Sequence, residues 1–178
     1  GAVSIEVALS GDGNSLLGGD IPFRMTRPNW GPSPLAALSG RVVLGRRGAY
    51  SVPFRLSDEK GRGLSGRVYG VSGAPANVEA LADGLPIPPV RDYLKYAFDL
   101  DAPRATGTID AFVRGRLAWG RRELTLGGTL RGRVENSPEL VVDISGDVAG
   151  DELFVHEARL AGPGTKGSFA GRVTLPGG

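Results

Sequence analysis

Apolar and polar residues alternate along most of this chain, a pattern that predicts β-strands. In one clear stretch, Ile109, Val113 and Leu117 share one phase, and Asp110 and Arg114 fall in the other. Because successive side chains of a strand point to opposite faces, each such stretch has an apolar side and a polar side. Alternating segments joined by short turns are typical of an antiparallel meander. The sequence therefore predicts a mainly all-β fold built on one antiparallel sheet.

A Gly-Arg-Val or Gly-Arg-Leu triplet recurs within these stretches, and its copies start at Gly40, Gly66, Gly115, Gly132 and Gly171. In each copy the aliphatic residue falls on the apolar side of its strand and the arginine on the polar side. Strands lined by valine, leucine and glycine can curve tightly and leave space that bulky residues would fill. We therefore expect a curved sheet with an open apolar groove, while the pattern alone also fits the core of a closed β-sandwich.

The region around residues 75–98 does not alternate and predicts one or two short helices inserted into the sheet. After a proline and before a glycine, residues 75–83 place three apolar side chains at helical spacing: Val78, Leu81 and Ala82. Residues 89–98 carry apolar side chains at i, i+3, i+4, i+7 and i+8. Such helices suit either a lid or plug over a groove or an ordinary cover for one end of the core. They leave open whether a groove continues through this region.

Two strands carry predicted irregularities. Pro53 lies on the polar phase of its strand and cannot donate a ladder hydrogen bond. That strand is therefore predicted to lie at an edge of the sheet or to carry a bulge. The segment from Leu153 to Val155 breaks the alternation, which predicts a bulge near Phe154.

The composition suits a single β-rich domain that spans residues 1–178. The 29 glycines indicate many turns, and a hydrophobic fraction of 40% is too high for a disordered linker. We expect these residues to be a slice of a longer repetitive protein. No apolar stretch reaches the length of a membrane-spanning helix. The net charge of +2 is spread over many strands rather than gathered among stacking aromatics, which argues against a nucleic-acid partner.

No combination of residues indicates an enzyme or a metal site. His156 is the single histidine, and it lies in a predicted strand without a nucleophile motif nearby. Cysteine is absent, which excludes disulfides and thiolate ligands. The paired carboxylates lack calcium-loop spacing, and Asp143 and Asp147 fall on the polar face of a strand, where solvated charges are expected. We therefore predict no catalytic residue, no metal and no cofactor.

Several arginines share the polar face of the predicted sheet. One interpretation is a solvated surface, and the other is an outer face that attracts anionic head groups or an acidic partner. These arginines are Arg41, Arg67, Arg114, Arg116, Arg131, Arg133 and Arg172.

Two parts of the sequence resemble a known family. Between Val71 and Leu117 the chain reads VSGAPANVEALADGLPIPP and then ATGTIDAFVRGRL, and the tail reads ISGDVAGDELFVHEARLAGPGTKGSFAGRVTLPG. These stretches resemble the repeat of the TamB/AsmA-like envelope proteins, inner-membrane components of a translocation and assembly module. In that repeat a short helical stretch precedes a strand of the type G-x-(I/L/V)-D-x-x-(V/F)-x-G. The similarity covers about the last three fifths of the chain and is looser before that.

The resemblance implies a long, open, U-shaped antiparallel sheet, a β-taco, with a greasy concave face. It also implies a parent protein that is anchored in the inner membrane and crosses the periplasm. Such a parent serves phospholipid transfer to the outer membrane, or outer-membrane protein assembly with a barrel partner. No catalytic residue comes with the family. Its functional residues are concave-face aliphatics, which correspond here to Val42, Val68, Val113, Leu117, Leu126, Leu130, Val142, Ile144 and Val173.

We therefore expect a non-enzymatic domain of the cell envelope whose hydrophobic groove binds lipid acyl chains or nascent β-strands. The alternative is a closed β-sandwich that serves as an adhesin or a carbohydrate-binding module. Such a module would bind through loops and aromatic residues such as Trp30 and Trp119. Since Trp119 lies on the apolar phase and Trp30 in a proline-rich loop, a shared sugar-binding platform is not evident.

Overall fold

The computed structural model describes the chain at residues 2–6, 8–11, 16–26, 29–30, 33–34, 37–98, 104–118, 121–134 and 137–174. These residues form fourteen strands, one α-helix, α1 (Ile87–Phe98), and one 3-10 turn at Arg46–Gly48. The strands are β1 (Ala2–Ile5), β2 (Ala8–Gly11), β3 (Leu16–Thr26), β4 (Asn29–Trp30), β5 (Ser33–Pro34), β6 (Ala37–Leu44), β7 (Ala49–Ser57), β8 (Gly63–Val71), β9 (Ala76–Pro86), β10 (Ala105–Ala118), β11 (Arg121–Val134), β12 (Leu140–Ala149), β13 (Glu152–Gly162) and β14 (Thr165–Thr174). The predicted all-β class is confirmed.

Twelve of these strands form one antiparallel sheet whose order follows the chain from β1 and β3 through β6 to β14, with β2 also paired to β3. The remaining two, β4 and β5, pair with each other. Within the described part of the chain, β14 pairs with β13 alone, and no ladder joins it to the first strands. The sheet is therefore an open meander, as the short turns and the alternation predict.

The register of the ladders brings the apolar phase of every strand to one face of the sheet. Val68 of β8, for example, lies opposite Val52 of β7 and Val78 of β9. Directly opposed residues of antiparallel strands share a face. One such row crosses ten strands and consists of Ile21, Val42, Val52, Val68, Val78, Gly115, Leu124, Val148, Leu153 and Val173.

We infer from burial that this apolar face is the concave side of a curved sheet. Among the described residues, each strand makes its main contacts with its neighbours in the sheet, and no second sheet packs across the face. Val148 and Val155 are nevertheless only 7% and 6% exposed. Without a covering layer, side chains become this buried where the sheet bends and its side chains converge. The face is called the concave face below, and the opposite one the charged face.

Glycines on the apolar phase permit this bending. A Cβ atom at Gly40 would lie 2.5 Å from the carbonyl oxygen of Pro53 and 2.6 Å from Cζ of Phe23. A Cβ atom at Gly66 would collide with the carbonyl oxygen of Glu79. Neighbouring backbone thus leans toward the concave face at these positions, which a side chain would prevent. This close approach explains the glycine in four of the five triplets, whereas a Cβ atom at Gly171 would meet only the ring of Phe169.

The helix predicted over residues 75–83 is wrong, because this segment forms β9 between β8 and β10. Val78 and Ala82 lie on the concave face, whereas Leu81 is on the charged face and exposed. Gly84, with φ of 57°, lies where the register between β9 and β10 shifts, so it belongs to a bulge rather than to a helix end. The helix predicted over 89–98 is confirmed as α1, which begins two residues earlier.

The two predicted irregularities have different outcomes. Pro53 lies in β7, an internal strand between β6 and β8, and the register between β6 and β7 is the same on both sides of the proline. The predicted edge or bulge is therefore wrong: pairing with β6 is interrupted opposite the proline, and the register continues. The bulge predicted near Phe154 is confirmed, because β13 has one extra residue, His156, between Val155 and Glu157 in its ladder with β12.

Candidate functional site

All nine aliphatic residues that the sequence marks as the groove lie on the concave face. Eight of them are half-buried: Val42, Val68, Val113, Leu117, Leu126, Leu130, Val142 and Ile144. Val173 lies on the outermost strand β14 and is 42% exposed. The nine belong to six strands, so they mark a wide apolar surface rather than one compact pocket.

The most deeply buried residues of the concave face are absent from that set. The valines and leucines among them are Leu56, Val148 and Val155, each less than a tenth exposed. Alternation places the first two in the apolar phase, but it does not distinguish a buried position from a half-buried one. The concave side of β9, including Val78, was missed because that strand was predicted as a helix. Since β9 pairs with both β8 and β10, the apolar face continues through the region where the sequence leaves its continuity open.

Helix α1 lies at one end of the concave face. Ile87, its first residue, is buried, and a Cβ atom at Gly132 of β11 would lie 2.9 Å from the Cδ1 atom of Ile87. Because Gly132 has no side chain, the helix can approach the sheet closely there. The helix also contacts β10 and the small β4–β5 ribbon. This position suits a cover for one end of the apolar face, one of the two roles considered for the predicted helices.

The charged face carries ion pairs between neighbouring strands. Nε of Arg67 on β8 lies 3.0 Å from Oε2 of Glu79 on β9, and the Tyr69 hydroxyl donates to the other oxygen of the same carboxylate at 2.9 Å. These hydrogen bonds, from Arg67 first and then Tyr69, lower the pKa of Glu79. The seven arginines assigned to this face are all exposed. Their position fits both the solvated-surface interpretation and the anion-attracting one.

His156 belongs to a hydrogen-bonded row on the charged face. Its Nε2 atom lies 2.7 Å from Oδ2 of Asp147, and the Thr125 hydroxyl donates to the other oxygen of that carboxylate at 2.8 Å. The hydrogen bond from Thr125, with that from His156, lowers the pKa of Asp147. Because the Thr125 hydroxyl faces the carboxylate and not the imidazole, these residues do not form the nucleophile and base pair that acyl transfer requires.

A cleft of about 430 Å³ is lined mostly by residues of the charged face, and Val113, one of the nine predicted groove residues, also lines it. Pro53, Leu81 and Phe112 supply its apolar walls, and Arg67 and Arg114 are among its charged borders. The sequence already places Pro53 and Phe112 in the polar phase, which was a signal for an apolar patch there. The sequence does not place Leu81 in this patch, because residues 75–83 are predicted as a helix.

Comparisons with protein-family models, curated proteins and solved structures found no match to this chain. Within the described ranges, no group of three or more His, Asp or Glu side chains is arranged to hold a metal ion. The same part of the chain contains no helix that is long and apolar enough to cross a membrane. Trp119 lies outside the described residues, and Trp30 belongs to the short strand β4.

Proposed function

We propose that the concave face of this sheet binds lipid acyl chains and shields them from water, without catalysis. One observation carries the proposal: an apolar surface crosses ten strands, and no second sheet packs on it in the described part of the chain. An apolar surface of this extent that no second sheet covers is typical of a binding surface. Each methylene group that moves from water to such a surface contributes about 0.8 kcal/mol, so a chain of many methylenes binds without a specific polar contact.

The cellular setting is part of this proposal and rests on the resemblance to TamB/AsmA-like repeats. We infer a domain of the periplasm or cell envelope, in a parent protein anchored in the inner membrane, that acts in phospholipid transfer toward the outer membrane. A barrel protein of the outer membrane is the partner that the resemblance suggests for that parent. The open antiparallel sheet with an apolar concave face supports this setting, because it is the architecture that the resemblance implies.

Binding of a nascent β-strand is the second candidate, and the outermost strand β14 favours it. Every residue of β14 is exposed, and its one described partner is β13. A strand at the edge of a sheet has free backbone donors and acceptors, which can pair with another chain. Replacing Ser168 of β14 by proline removes one donor and should abolish capture of unfolded barrel segments, while acyl-chain binding on the concave face persists.

The sandwich alternative has less support. A closed β-sandwich needs a second sheet on the apolar face, and the described strands form one open sheet instead. The proposal of an adhesin or carbohydrate-binding module would return if glycan arrays gave reproducible binding to the purified chain.

Native mass spectrometry of the purified chain tests acyl-chain binding. We expect phospholipid adducts after mild extraction, and a Val113→Asp change on the concave face should remove them. The matched control is Arg116→Asp on the same strand, because Arg116 lies on the charged face. Spectra without lipid for the unmodified chain, after incubation with phospholipid vesicles, would contradict the proposal.

A further inference from the structure

Arginines gather at the end of the sheet where α1 meets β10 and β11. A cavity of about 290 Å³ is lined there by Arg91 of α1, Arg104 just before β10, and Arg133 of β11. A neighbouring cavity of about 350 Å³ shares Thr106 and Arg133 with the first and adds Arg131. The guanidinium groups of one strand, one helix and one connecting segment therefore border these two cavities.

In the described part of the chain, one carboxylate lines these two cavities. It belongs to Glu139, which forms no ion pair with Arg131 or Arg133 in the same part of the chain. Three other arginines of the charged face each bind a carboxylate: Arg67 binds Glu79, Arg159 binds Glu157, and Arg172 binds Glu152. The guanidinium donors of Arg131 and Arg133 are therefore not taken up by carboxylates of the sheet, unlike those of the other three arginines.

Two threonine hydroxyls complete the lining. The register places Thr106 opposite Arg133 and Thr108 opposite Arg131, on the same face of the sheet. Neither hydroxyl has a hydrogen-bond partner among the described residues. Two other threonines of this face donate to carboxylates, Thr125 to Asp147 and Thr129 to Asp143. At Thr106 and Thr108 an arginine replaces the carboxylate as the cross-strand neighbour, so their hydroxyls are available to an oxyanion.

At the start of α1, side chains rather than backbone N–H groups supply the donors for an anion. Pro88 lines the first cavity, and Pro88 and Pro89 have no backbone N–H groups to donate. Arg91 is held in place by Asp92, a buried carboxylate whose Oδ1 atom lies 2.7 Å from its Nη2 atom. This contact fixes the direction of the Arg91 side chain and leaves its remaining N–H donors for a ligand.

We propose that these two cavities bind a phosphate group, carried by a monoester or a diester. The fork of N–H donors on arginine matches phosphate oxygens in pairs, and hydroxyl donors add to this recognition. The site goes beyond acyl-chain binding and does not depend on it.

Titration with glycerol phosphate, which has no acyl chain, tests the proposal. We compare the unmodified chain with Arg131→Gln/Arg133→Gln by calorimetry and by the NMR signals of arginine Nε–H groups. The matched control is Arg114→Gln/Arg116→Gln, two exposed arginines with the same spacing and face on the neighbouring strand. We expect the first variant to bind about tenfold more weakly or worse, and the control to stay within about twofold.

A parallel arm uses vesicles of phosphatidylglycerol in phosphatidylcholine. Binding of glycerol phosphate without vesicle binding identifies a soluble phosphate ester as the ligand, and vesicle binding that depends on Arg131 and Arg133 identifies a lipid head group. An equal loss of affinity in both variants would show that general charge attraction explains binding, and would overturn the proposed site. Absence of binding to both glycerol phosphate and the vesicles would also overturn it. If native mass spectra show no bound lipid, this test still holds, because glycerol phosphate has no acyl chain to bind on the concave face.

Discussion

The two faces of the sheet share the same strands and differ in how their side chains are satisfied. On the concave face of β6 to β13, valines and leucines are buried or half-buried although no second sheet covers them, and the exposed Val173 lies on the outermost strand. On the charged face, exposed arginines bind carboxylates of neighbouring strands. A period of two residues lets one strand build both surfaces. Burial without a covering sheet indicates a curved face, so the concave face is both the core of the fold and its proposed binding surface.

The two faces should differ most in how much a leucine-to-alanine change lowers the free energy of unfolding. Leu56 on the concave face is 4% exposed, and Leu81 on the charged face is 55% exposed. We expect Leu56→Ala to lower the free energy of unfolding by about 2 to 4 kcal/mol, from lost burial and the cavity left behind. Leu81→Ala should change it by less than about 0.5 kcal/mol. Urea unfolding followed by circular dichroism measures both, and equal losses would contradict the assignment of the two faces.

The second difference concerns glycine. A Cβ atom at Gly66 would collide with the Glu79 carbonyl oxygen and lie 2.9 Å from Cα of Ala80, whereas one at Gly167 on β14 meets nothing within 4 Å. Since neighbouring backbone has to move, Gly66→Ala should destabilise the fold by about 1 to 3 kcal/mol. Gly167→Ala should stay within about 0.5 kcal/mol. Thermal unfolding of the pair checks this, and a neutral Gly66→Ala change would argue against close backbone approach on the concave face.

The smallest expected effect lies on the charged face and depends on pH. The folded-state pKa of Glu79 is below its ordinary value of 4.5, because Arg67 and Tyr69 donate to the carboxylate. The resulting stabilisation is complete above that ordinary value and is lost as the pH falls through the lowered pKa. Glu79 is about half exposed, so solvent screening keeps the effect small.

Urea midpoints of the unmodified chain and Glu79→Gln should therefore differ slightly at neutral pH and converge in strong acid. The control is Glu123→Gln, since Glu123 lies on the same face and has no ion pair in the described ranges. Its midpoint difference should be the same at both pH values. A difference for Glu79→Gln that grew in acid would show that the sign of the linkage is wrong.

The face on which each residue lies is largely predictable from the sequence, because alternation alone assigns a face to each residue of a regular strand. This prediction failed at β9, where Val78, Leu81 and Ala82 fit both helical spacing and strand alternation. The segment forms a strand rather than a helix because it pairs with both β8 and β10. Such pairing with other strands is not visible in local spacing. Gly84 then forms a bulge instead of ending a helix.

The arginine-lined cavities show a second limit of the sequence. Arg131 and Arg133 were recognised as members of the polar face, but Arg91 belongs to a helix and Arg104 to a connecting segment. Their approach to β11 depends on the position of α1 against Gly132, a contact between residues far apart in the chain. Alternation also gives no measure of curvature, so it left the open groove and the closed sandwich equally possible.

Acyl-chain binding on the concave face is tested most directly by photocrosslinking from two neighbouring positions. Benzoylphenylalanine is placed at Val113, on the concave face, or at Arg116, on the charged face of the same strand β10. After incubation with phospholipid vesicles and irradiation, we expect lipid adducts from position 113 and few or none from position 116. Equal adducts from both positions, or none from position 113, would contradict acyl-chain binding on the concave face.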